Sequence, residues 1–280
     1  MQVIKDITSM RNLCKTRKLT GEKIGFVPTM GALHKGHVSL IQRAREDCDF
    51  LVVSIFVNPT QFGAGEDFDR YPRNLEKDLA ICREEGVDAV FVPSQQEMYP
   101  EGFSTWVEVK GILTETLEGA FRPGHFRGVA TVVTKLFNIV LPDFSYFGEK
   151  DYQQALVIKK MVRELNIDTK IVLVPTVREK DGLAFSSRNL YLSKEEREAA
   201  RVIYRSLLRA KRAIEDGEED ASAVITLMKD LIEEESLAKI DYIALVNPET
   251  LEPVKKIKGR VLVALAVRIG KTRLIDNMVI

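Results

Sequence analysis

Short buried apolar runs alternate with helical stretches through the first 175 residues of this 280-residue chain, and this alternation constrains the fold most strongly. Five runs predict strands at residues 24–27, 50–56, 89–92, 144–147 and 171–174. The continuous run at 50–56 is typical of a parallel strand that helices cover on both faces. The alternation therefore predicts an α/β fold with a Rossmann-like, doubly wound parallel sheet.

The pattern changes after Pro175. Ser193 and Glu196 form a capping box that predicts a long helix reaching about residue 215, and a second helix is expected at 222–235. Three further strands are predicted at 240–246, 260–267 and 272–275. We therefore expect two domains, a sheet domain at 1–175 and a smaller C-terminal α+β domain at 176–280. Alternation also predicts a half-exposed strand at 104–109.

The segment at 27–37 reads VPTMGALHKGH and joins the first predicted strand to a helix expected at 38–48. Pro28 is expected to end the strand because it has no N–H for a sheet ladder. Gly31 and Gly36 allow close backbone approach to a ligand, and the helix start offers unpaired N–H groups. Two of the three histidines, His34 and His37, lie here. The turn suits an anion, above all a phosphate, unless its histidines only cap and pack.

Composition excludes several classes of function. Lys plus Arg and Asp plus Glu both number 41, so the formal net charge of zero argues against a nucleic-acid partner. The apolar run at 261–267 is far too short to span a bilayer, and the first residues contain no apolar signal core. Cys14, Cys48 and Cys82 form no paired motif. We expect a cytoplasmic protein with no membrane partner.

Polar residues follow other predicted strands as well. Gln61 comes after the strand at 50–56, and the polar segment 148–154 comes after the strand at 144–147. In parallel sheets the ligand crevice lies beyond the carboxyl ends of strands, so these residues are expected to face His34. The long loop at 63–73 is either a lid or a surface connection. Arg122 and His125 lie in a basic loop that function or a structural hydrogen bond explains equally well.

The HKGH sequence at 34–37 resembles the HIGH motif of the nucleotidylyltransferase superfamily, which includes class I aminoacyl-tRNA synthetases. The longer string at 28–37 resembles the pantothenate synthetase family, the pantoate–β-alanine ligases. Other matching segments follow in order at 57–62 (VNPTQF), 71–73 (YPR), 147–154 (FGEKDYQQ), 175–179 (PTVRE), 186–189 (SSRN) and 272–277 (TRLIDN). The resemblance thus covers essentially the whole chain.

This resemblance implies an ATP-dependent ligase that condenses (R)-pantoate with β-alanine through a pantoyl adenylate, giving pantothenate, AMP and diphosphate. ATP is then a substrate, Mg²⁺ travels mainly on its phosphates with no protein ligand assigned, and the enzyme is a homodimer. Because pantoate itself attacks the α-phosphate, no nucleophilic side chain is needed. Fixed donors and cations must stabilise the charge that develops on the phosphate oxygens.

The resemblance also assigns residues to these tasks. Catalysis is implied for His34, His37, Lys150, Ser187 and Arg188. Pantoate contacts are implied for Gln61 and Gln154, and β-alanine contacts for Gln61. The implied ATP site comprises Pro28, Met30, Gly31, Ala32, Leu33, His34, Lys35, Gly36, His37, Gly148, Glu149, Lys150, Asp151, Val177, Phe185, Ser186, Ser187 and Arg188. The C-terminal domain would close over this ATP site. Phe185 departs from the family pattern, because many members have Met there.

Two other functions stay open from the sequence. Another nucleotidylyltransferase, such as a cytidylyltransferase, would form a dinucleotide-like product without any dependence on β-alanine. A nucleotide- or RNA-binding module without catalysis is the other alternative, although zero net charge argues against RNA and the intact histidine pair against an inactive enzyme. Taken singly, Lys150 also fits a surface lysine, and Gln61 and Gln154 fit solvated amides.

Overall fold

The computed structural model describes every residue from Met1 to Ile280 and contains two separate sheets. Strands β1 to β9 are Gln2–Ile4, Ile24–Thr29, Phe50–Ile55, Ala89–Phe91, Phe144–Gly148, Lys170–Val174, Ala238–Val246, Leu262–Ile269 and Thr272–Val279. Helices α1 to α11 are Ile7–Leu19, Lys35–Asp47, Leu75–Glu84, Gln95–Met98, Ile112–Glu115, Glu118–Phe121, His125–Val140, Tyr152–Glu164, Lys194–Ala199, Arg201–Glu215 and Ala221–Glu233. Short 3₁₀ helices span Pro59–Gln61, Glu149–Asp151 and Ser187–Tyr191.

The larger sheet is parallel, with strand order β1-β4-β3-β2-β5-β6. From β2 the chain moves to β3 and β4 on one side, and later to β5 and β6 on the other. The carboxyl ends of β2 and β5 therefore form the topological switch point, where a ligand crevice opens in such sheets. Helices α1, α7 and α8 pack on one face, and α2 and α3 pack on the other. The predicted doubly wound sheet is confirmed.

The smaller sheet is antiparallel, with order β7-β8-β9, and α10 and α11 cover one of its faces. All six parallel strands lie in the N-terminal part (residues 1–175), and all three antiparallel strands lie in the C-terminal part (residues 176–280). The predicted α+β composition of the C-terminal part is confirmed. The capping box of Ser193 and Glu196 is present, but the long helix is interrupted at Ala200, between α9 and α10.

Two strand predictions are wrong. Pro28 does not end β2, which continues to Thr29 with Pro28 opposite Ser54 of β3. Because Thr29 accepts a bond from Phe56 on the β3 side, the Pro28 nitrogen faces β5, where the ladder already ends at Phe26. A missing N–H therefore breaks no pairing at this position.

The segment at 104–109 is not a strand, and only residues 106–109 alternate in exposure as predicted. Val107 bonds through its N–H to the hydroxyl of Thr131 on α7, at 3.0 Å, instead of to a neighbouring strand. Val109 is buried, whereas the exposed Trp106 ring lies under the Arg127 guanidinium. Alternation here reflects one-sided packing against a helix. No helix of the structure combines the length and apolar character that a membrane crossing requires.

Candidate active site

A cleft of about 1130 Å³ lies beyond the carboxyl ends of β2 and β5, between the N-terminal and C-terminal parts. The N-terminal part contributes the turn after β2, the turn after β3, one side of α7 and the start of α8. The C-terminal part contributes β9 and the 3₁₀ segment Ser187–Tyr191. Sequence-predicted residues that line this cleft are Pro28, Met30, His34, His37, Gln61, Lys150, Asp151, Gln154, Phe185, Ser186, Ser187 and Arg188.

The backbone N–H groups of the turn after β2 are already bound within the protein. Gly31 donates to the Thr29 hydroxyl at 3.1 Å, and Ala32 and Leu33 donate to the Asp78 carboxylate at 2.9 and 2.8 Å. The His34 N–H donates to Nδ1 of His37 at 3.3 Å. The N–H groups of residues 31–34 are therefore not free to bind an anion. The side chains of His34, His37, Lys150 and Arg188 supply donors to the cleft.

His34 and His37 are arranged as neutral donors. Nδ1 of His34 accepts a bond from the Gly36 N–H at 3.2 Å, and Nδ1 of His37 accepts from the His34 N–H. Each proton is thereby assigned to Nε2, which remains free to donate to a ligand. Burial, together with the nearby charge of Lys150, lowers the pKa of His34 to about 4. Burial and the neighbouring His34 lower the pKa of His37 to about 3, so neither ring is charged at pH 7.

Lys150 supplies positive charge beside these rings. It lies in the 3₁₀ helix after β5, and its Nζ lies 3.3 Å from the Asp151 carboxylate. The carbonyls of Glu149 and Lys150 both accept bonds from the Asn277 amide of β9, at 3.0 and 2.8 Å. Strand β9 of the C-terminal part thus fixes the backbone of the lysine. The side chain of Lys150 is left to reach into the cleft.

Ser187 and Arg188 approach the cleft from the C-terminal part. The Ser187 hydroxyl donates to the Ala32 carbonyl at 3.2 Å, which joins this segment to the turn after β2. Arg188 forms a two-bond ion pair with Asp67 of the 63–73 loop, at 2.8 and 2.9 Å. Although burial opposes ionisation of Asp67, this pairing holds the pKa of the carboxyl below its usual range. The loop therefore covers the cleft and is tied to both parts of the molecule.

Two glutamine amides also line the cleft. Gln61 is 8 % exposed, accepts a bond from the Asn58 amide at 3.0 Å, and contacts the Met30 sulfur. Gln154 extends from the first turn of α8. Its neighbour Gln153 has a different role, because its amide bonds to the backbone of residues 113, 116 and 118. Only Gln154 of this pair is available to a ligand.

Arg122 and His125 make structural hydrogen bonds near Gln61. His125 donates from Nδ1 to the Gln61 carbonyl at 2.8 Å, and its Nε2 accepts from Arg122 at 3.1 Å. Arg122 also forms a two-bond ion pair with Glu66 of the 63–73 loop. Burial and the charge of Arg122 lower the pKa of His125 to about 4. These residues hold the glutamine turn and the loop together.

Sequence reasoning missed an apolar wall of the cleft. Its members are Phe56, Phe62, Val129, Val132, Val133, Leu136 and Phe147. Several come from one face of α7, which the sequence marks only as a buried helix face. Proximity to a strand end could have identified Phe56 and Phe147, because each is the last residue of a predicted strand that points at the cleft.

Comparisons with known proteins find relatives over the full length of the chain. A family model described as pantoate-beta-alanine ligase matches residues 2–279. The chain belongs to the pantoate–β-alanine ligase family. The pantothenate synthetase of Acetivibrio thermocellus is 56% identical over 280 residues, covering 100% of this chain and 99% of the relative. The pantothenate synthetase of Thermosipho melanesiensis is also 56% identical, with the same coverage.

Solved structures of ligases in this family have the same fold. The pantothenate synthetase of Thermus thermophilus superposes with a TM-score of 0.95 at 48% identity and 99% coverage of both chains. A pantoate-beta-alanine ligase from Francisella tularensis, crystallised with beta-gamma ATP and beta-alanine, gives a TM-score of 0.82 at 39% identity. It covers 99% of this chain and 97% of its own.

Other residues of the ATP set that the ligase resemblance implies are not part of the cleft lining: Gly31, Ala32, Leu33, Lys35, Gly36, Gly148, Glu149 and Val177. Leu33 is buried in the core, and Glu149 faces a smaller second cavity. The Val177 carbonyl accepts a bond from the Phe185 N–H at 3.0 Å. Phe185, which replaces the commoner Met, stacks against His34 with ring centroids 6.0 Å apart.

Proposed function

We propose that the protein is a pantoate–β-alanine ligase, which uses ATP to condense (R)-pantoate with β-alanine and releases AMP and diphosphate. One observation carries the proposal. Two neutral imidazole donors and the cations Lys150 and Arg188 line the same cleft as two glutamine amides and an apolar wall. The first group suits phosphate, and the second suits a small branched hydroxy acid.

In the first step a carboxylate oxygen of pantoate attacks the α-phosphorus of ATP, and the bond to the diphosphate oxygen breaks. Negative charge develops on the phosphate oxygens, where His34 and His37 donate from Nε2 and Lys150 adds positive charge. Arg188 and Ser187 are proposed to bind the outer phosphates from the C-terminal part. The remaining ATP contacts implied by the family resemblance stay part of this proposal.

In the second step the β-alanine amine attacks the carbonyl carbon of the pantoyl adenylate. The bond from this carbon to the AMP oxygen breaks, and the amine loses a proton as the amide forms. No covalent enzyme intermediate is required, because the adenylate already supplies the leaving group. We propose that Gln61 lies beside the amine, as the β-alanine assignment implies.

Pantoate combines polar groups with a carbon that carries two methyl groups. Gln61 and Gln154 offer neutral hydrogen-bonding groups to its carboxylate and hydroxyls, whereas a protein carboxylate would repel it. The apolar wall from α7 would receive the methyl groups, because burying them there removes apolar surface from water. This division supports a hydroxy acid rather than a second nucleotide as the partner of ATP.

Further features of the enzyme are proposed from the donor set, the resemblance and the cysteines. No group of three or more His, Cys, Asp or Glu side chains could hold a metal ion, so Mg²⁺ is proposed to arrive on the ATP phosphates. The family resemblance supports a homodimer and two domains at 1–175 and 176–280. Three unpaired cysteines support a cytoplasmic location, where thiols stay reduced.

Diphosphate release tests the proposed function. With ATP, Mg²⁺ and pantoate alone, we expect a burst of about one diphosphate per active site as the adenylate accumulates. Adding β-alanine should convert the burst into continuous turnover with one pantothenate formed per AMP. Turnover that needs CTP and ignores β-alanine would instead indicate a cytidylyltransferase. Nucleotide binding without any diphosphate would indicate a binding module.

A further inference from the structure

Asp78 lies directly beneath the turn after β2, although it belongs to a different segment of the chain. It is in the first turn of α3 and is 2 % exposed. Its two carboxylate oxygens accept separate bonds from the N–H groups of Ala32 and Leu33, at 2.9 and 2.8 Å. Because both oxygens of this buried carboxylate bind the same turn, they hold the backbone of residues 32 and 33 in place.

The shape of the turn explains why a carboxylate fits there. Gly31 and Ala32 are consecutive residues with φ of +79° and +51°, so the following N–H groups point to the same side. Such a concave pair of amides is a small anion-binding site, and the Asp78 carboxylate fills it. A Cβ at Gly31 would lie 2.9 Å from Asp78 Oδ2, so glycine permits this close approach.

The same turn leads into both histidines. Leu33 immediately precedes His34, whose N–H is bound to Nδ1 of His37, while Nδ1 of His34 is bound to the N–H of Gly36. Any displacement of residues 32 and 33 therefore moves the His34 backbone, and with it the hydrogen bonds that set both imidazoles.

We propose that Asp78 is a positioning residue for adenylation: by binding the amides of Ala32 and Leu33, it aims Nε2 of His34 and His37 at the α-phosphate. This inference rests on the proposed ligase function. In this arrangement the N–H groups of Ala32 and Leu33 bind the Asp78 carboxylate, and side chains bind the substrate phosphate. Asp78 itself does not touch the reacting atoms.

The test replaces Asp78 with asparagine, which keeps the side-chain shape but offers an NH₂ group to one of the two N–H donors. We expect single-turnover adenylate formation to slow by roughly ten- to a hundredfold, because misplacement by about 1 Å can cost two orders of magnitude. Pantoate affinity should change by less than about twofold, since Gln61 and Gln154 lie on other elements. Glu76→Gln is the matched control, because Glu76 is exposed in the same helical turn. Its adenylation rate should equal that of the wild type.

Nitrogen NMR of the imidazoles provides a readout that a loss of stability alone would not change. Wild type should show the Nε2-protonated neutral form for His34 and His37, and Asp78→Asn should shift both sets of signals. Unchanged signals, or a wild-type adenylation rate in folded Asp78→Asn, would overturn the inference. If this variant does not fold, Gly31→Ala perturbs the same contact and should give the same shifts. A wild type that releases no diphosphate with pantoate would reject the ligase proposal, whereas the imidazole signals would still test the turn.

Discussion

His34 and His37 combine two properties that are hard to obtain together. Their Nδ1 atoms accept hydrogen bonds from the backbone N–H groups of His34 and Gly36, at the start of α2. These bonds assign the proton of each ring to Nε2, which can then donate to a ligand. Burial keeps both rings neutral by lowering their pKa values to about 4 and about 3. A neutral donor stays in the same protonation state when substrate charge enters or leaves. Lys150 then supplies the charge that the rings lack.

We predict that His37→Ala and Lys150→Ala each slow adenylate formation by roughly a hundred- to a thousandfold, because each removes a donor from the developing phosphate charge. Quenched-flow measurement of the first turnover gives the rate directly. Urea unfolding of each variant serves as the control for an intact fold. Adenylation near the wild-type rate in either variant would contradict the assignment.

Gln61→Ala and Gln154→Ala should weaken pantoate binding more than ATP binding, because both neutral amides belong to the proposed acid site and neither is a proposed phosphate donor. Each loses a hydrogen bond worth about 1 kcal/mol, or about fivefold in affinity. Calorimetric titration with each ligand measures the two effects. Gln153→Ala is the informative comparison, since its amide bonds only to backbone groups. Gln153→Ala should lower the free energy of unfolding and not the affinity for pantoate. Equal losses for ATP and pantoate would mean that the acid site lies elsewhere.

At the scale of elements, helix α7 sets the position of the Gln61 turn. Gly128 of α7 packs so closely against the 3₁₀ helix Pro59–Gln61 that an added Cβ would lie 2.2 Å from the Thr60 carbonyl oxygen. The Gly128 carbonyl also accepts a bond from the Asn58 amide at 3.2 Å. Helix and turn therefore form one packed unit, with the apolar wall on one side and the Gln61 amide on the other.

Gly128→Ala is expected to push this turn away from α7. The Thr60 backbone cannot move aside as a flexible side chain can. The substitution should therefore lower the free energy of unfolding by about 1–3 kcal/mol and weaken pantoate binding as well. Urea unfolding and pantoate titration check the two effects. Gly63→Ala is the control, since a Cβ there meets its neighbours at ordinary contact distances. Wild-type stability in Gly128→Ala would show that the helix can shift without cost.

The sequence predicts elements better than it predicts the contacts between them. Strand-to-helix alternation gives the parallel sheet, and the local capping box of Ser193 and Glu196 marks a helix start that the structure confirms. Strand ends at a switch point explain why His34 and Gln61 line one cleft. By contrast, Asp78 binds the N–H of Leu33, which is 45 residues away in the sequence. No local sequence pattern predicts such a distant contact.

The same limit explains the errors. Pro28 stays within a strand because the pairing of β2 with β5 already ends at Phe26, which is a property of the sheet and not of the segment. Residues 106–109 alternate in exposure because they pack against a helix. Period-two alternation indicates one-sided burial whether or not a partner strand exists. The three-residue strand β1 is too short to give any periodicity.

At the scale of the whole molecule, the free energy of unfolding should fall steeply as the solution becomes mildly acidic. The only three histidines of the chain, His34, His37 and His125, all have lowered pKa values because they are buried. The unfolded chain takes up protons below about pH 6.5, whereas the folded chain does not until about pH 4. The stabilisation is therefore complete above pH 6.5 and is lost as the pH falls. Each histidine contributes about 1.4 kcal/mol per pH unit in this window.

Urea unfolding at pH 7, 6 and 5 measures this dependence. His125→Gln should reduce the slope by about one third, because one of three equivalent proton uptakes is removed. Carboxylates with lowered pKa values, such as Asp67, act mainly below pH 4 and so do not obscure the window. A free energy of unfolding that stays constant from pH 7 to pH 5 would contradict the burial of neutral histidines.

Two sets of contacts join the N-terminal and C-terminal parts across the cleft. On the side of β9, Arg273 forms a two-bond ion pair with the buried Glu118, and Asn277 binds the backbone at Lys150. On the other side, Arg188 is paired with Asp67, and the Ser187 hydroxyl is bonded to the Ala32 carbonyl. Only this second set uses side-chain groups that are also proposed to bind phosphate. Asp67 and ATP therefore compete for the same guanidinium.

This competition predicts how nucleotide binding affects the arrangement of the two parts. A ligand shifts an equilibrium only through contacts that are better in one state, and Arg188 can exchange the Asp67 carboxylate for a phosphate. Arg188→Ala removes both contacts, so it should weaken ATP binding by roughly tenfold or more and abolish any compaction that a non-hydrolysable ATP analogue causes. Asp67→Asn removes only the carboxylate that competes with ATP for Arg188, so the compaction should remain. Small-angle scattering with and without the analogue compares the wild type with both variants. If Arg188→Ala compacts as fully as wild type, the coupling runs through Arg273 and Asn277 instead, and Arg188 serves the phosphates alone.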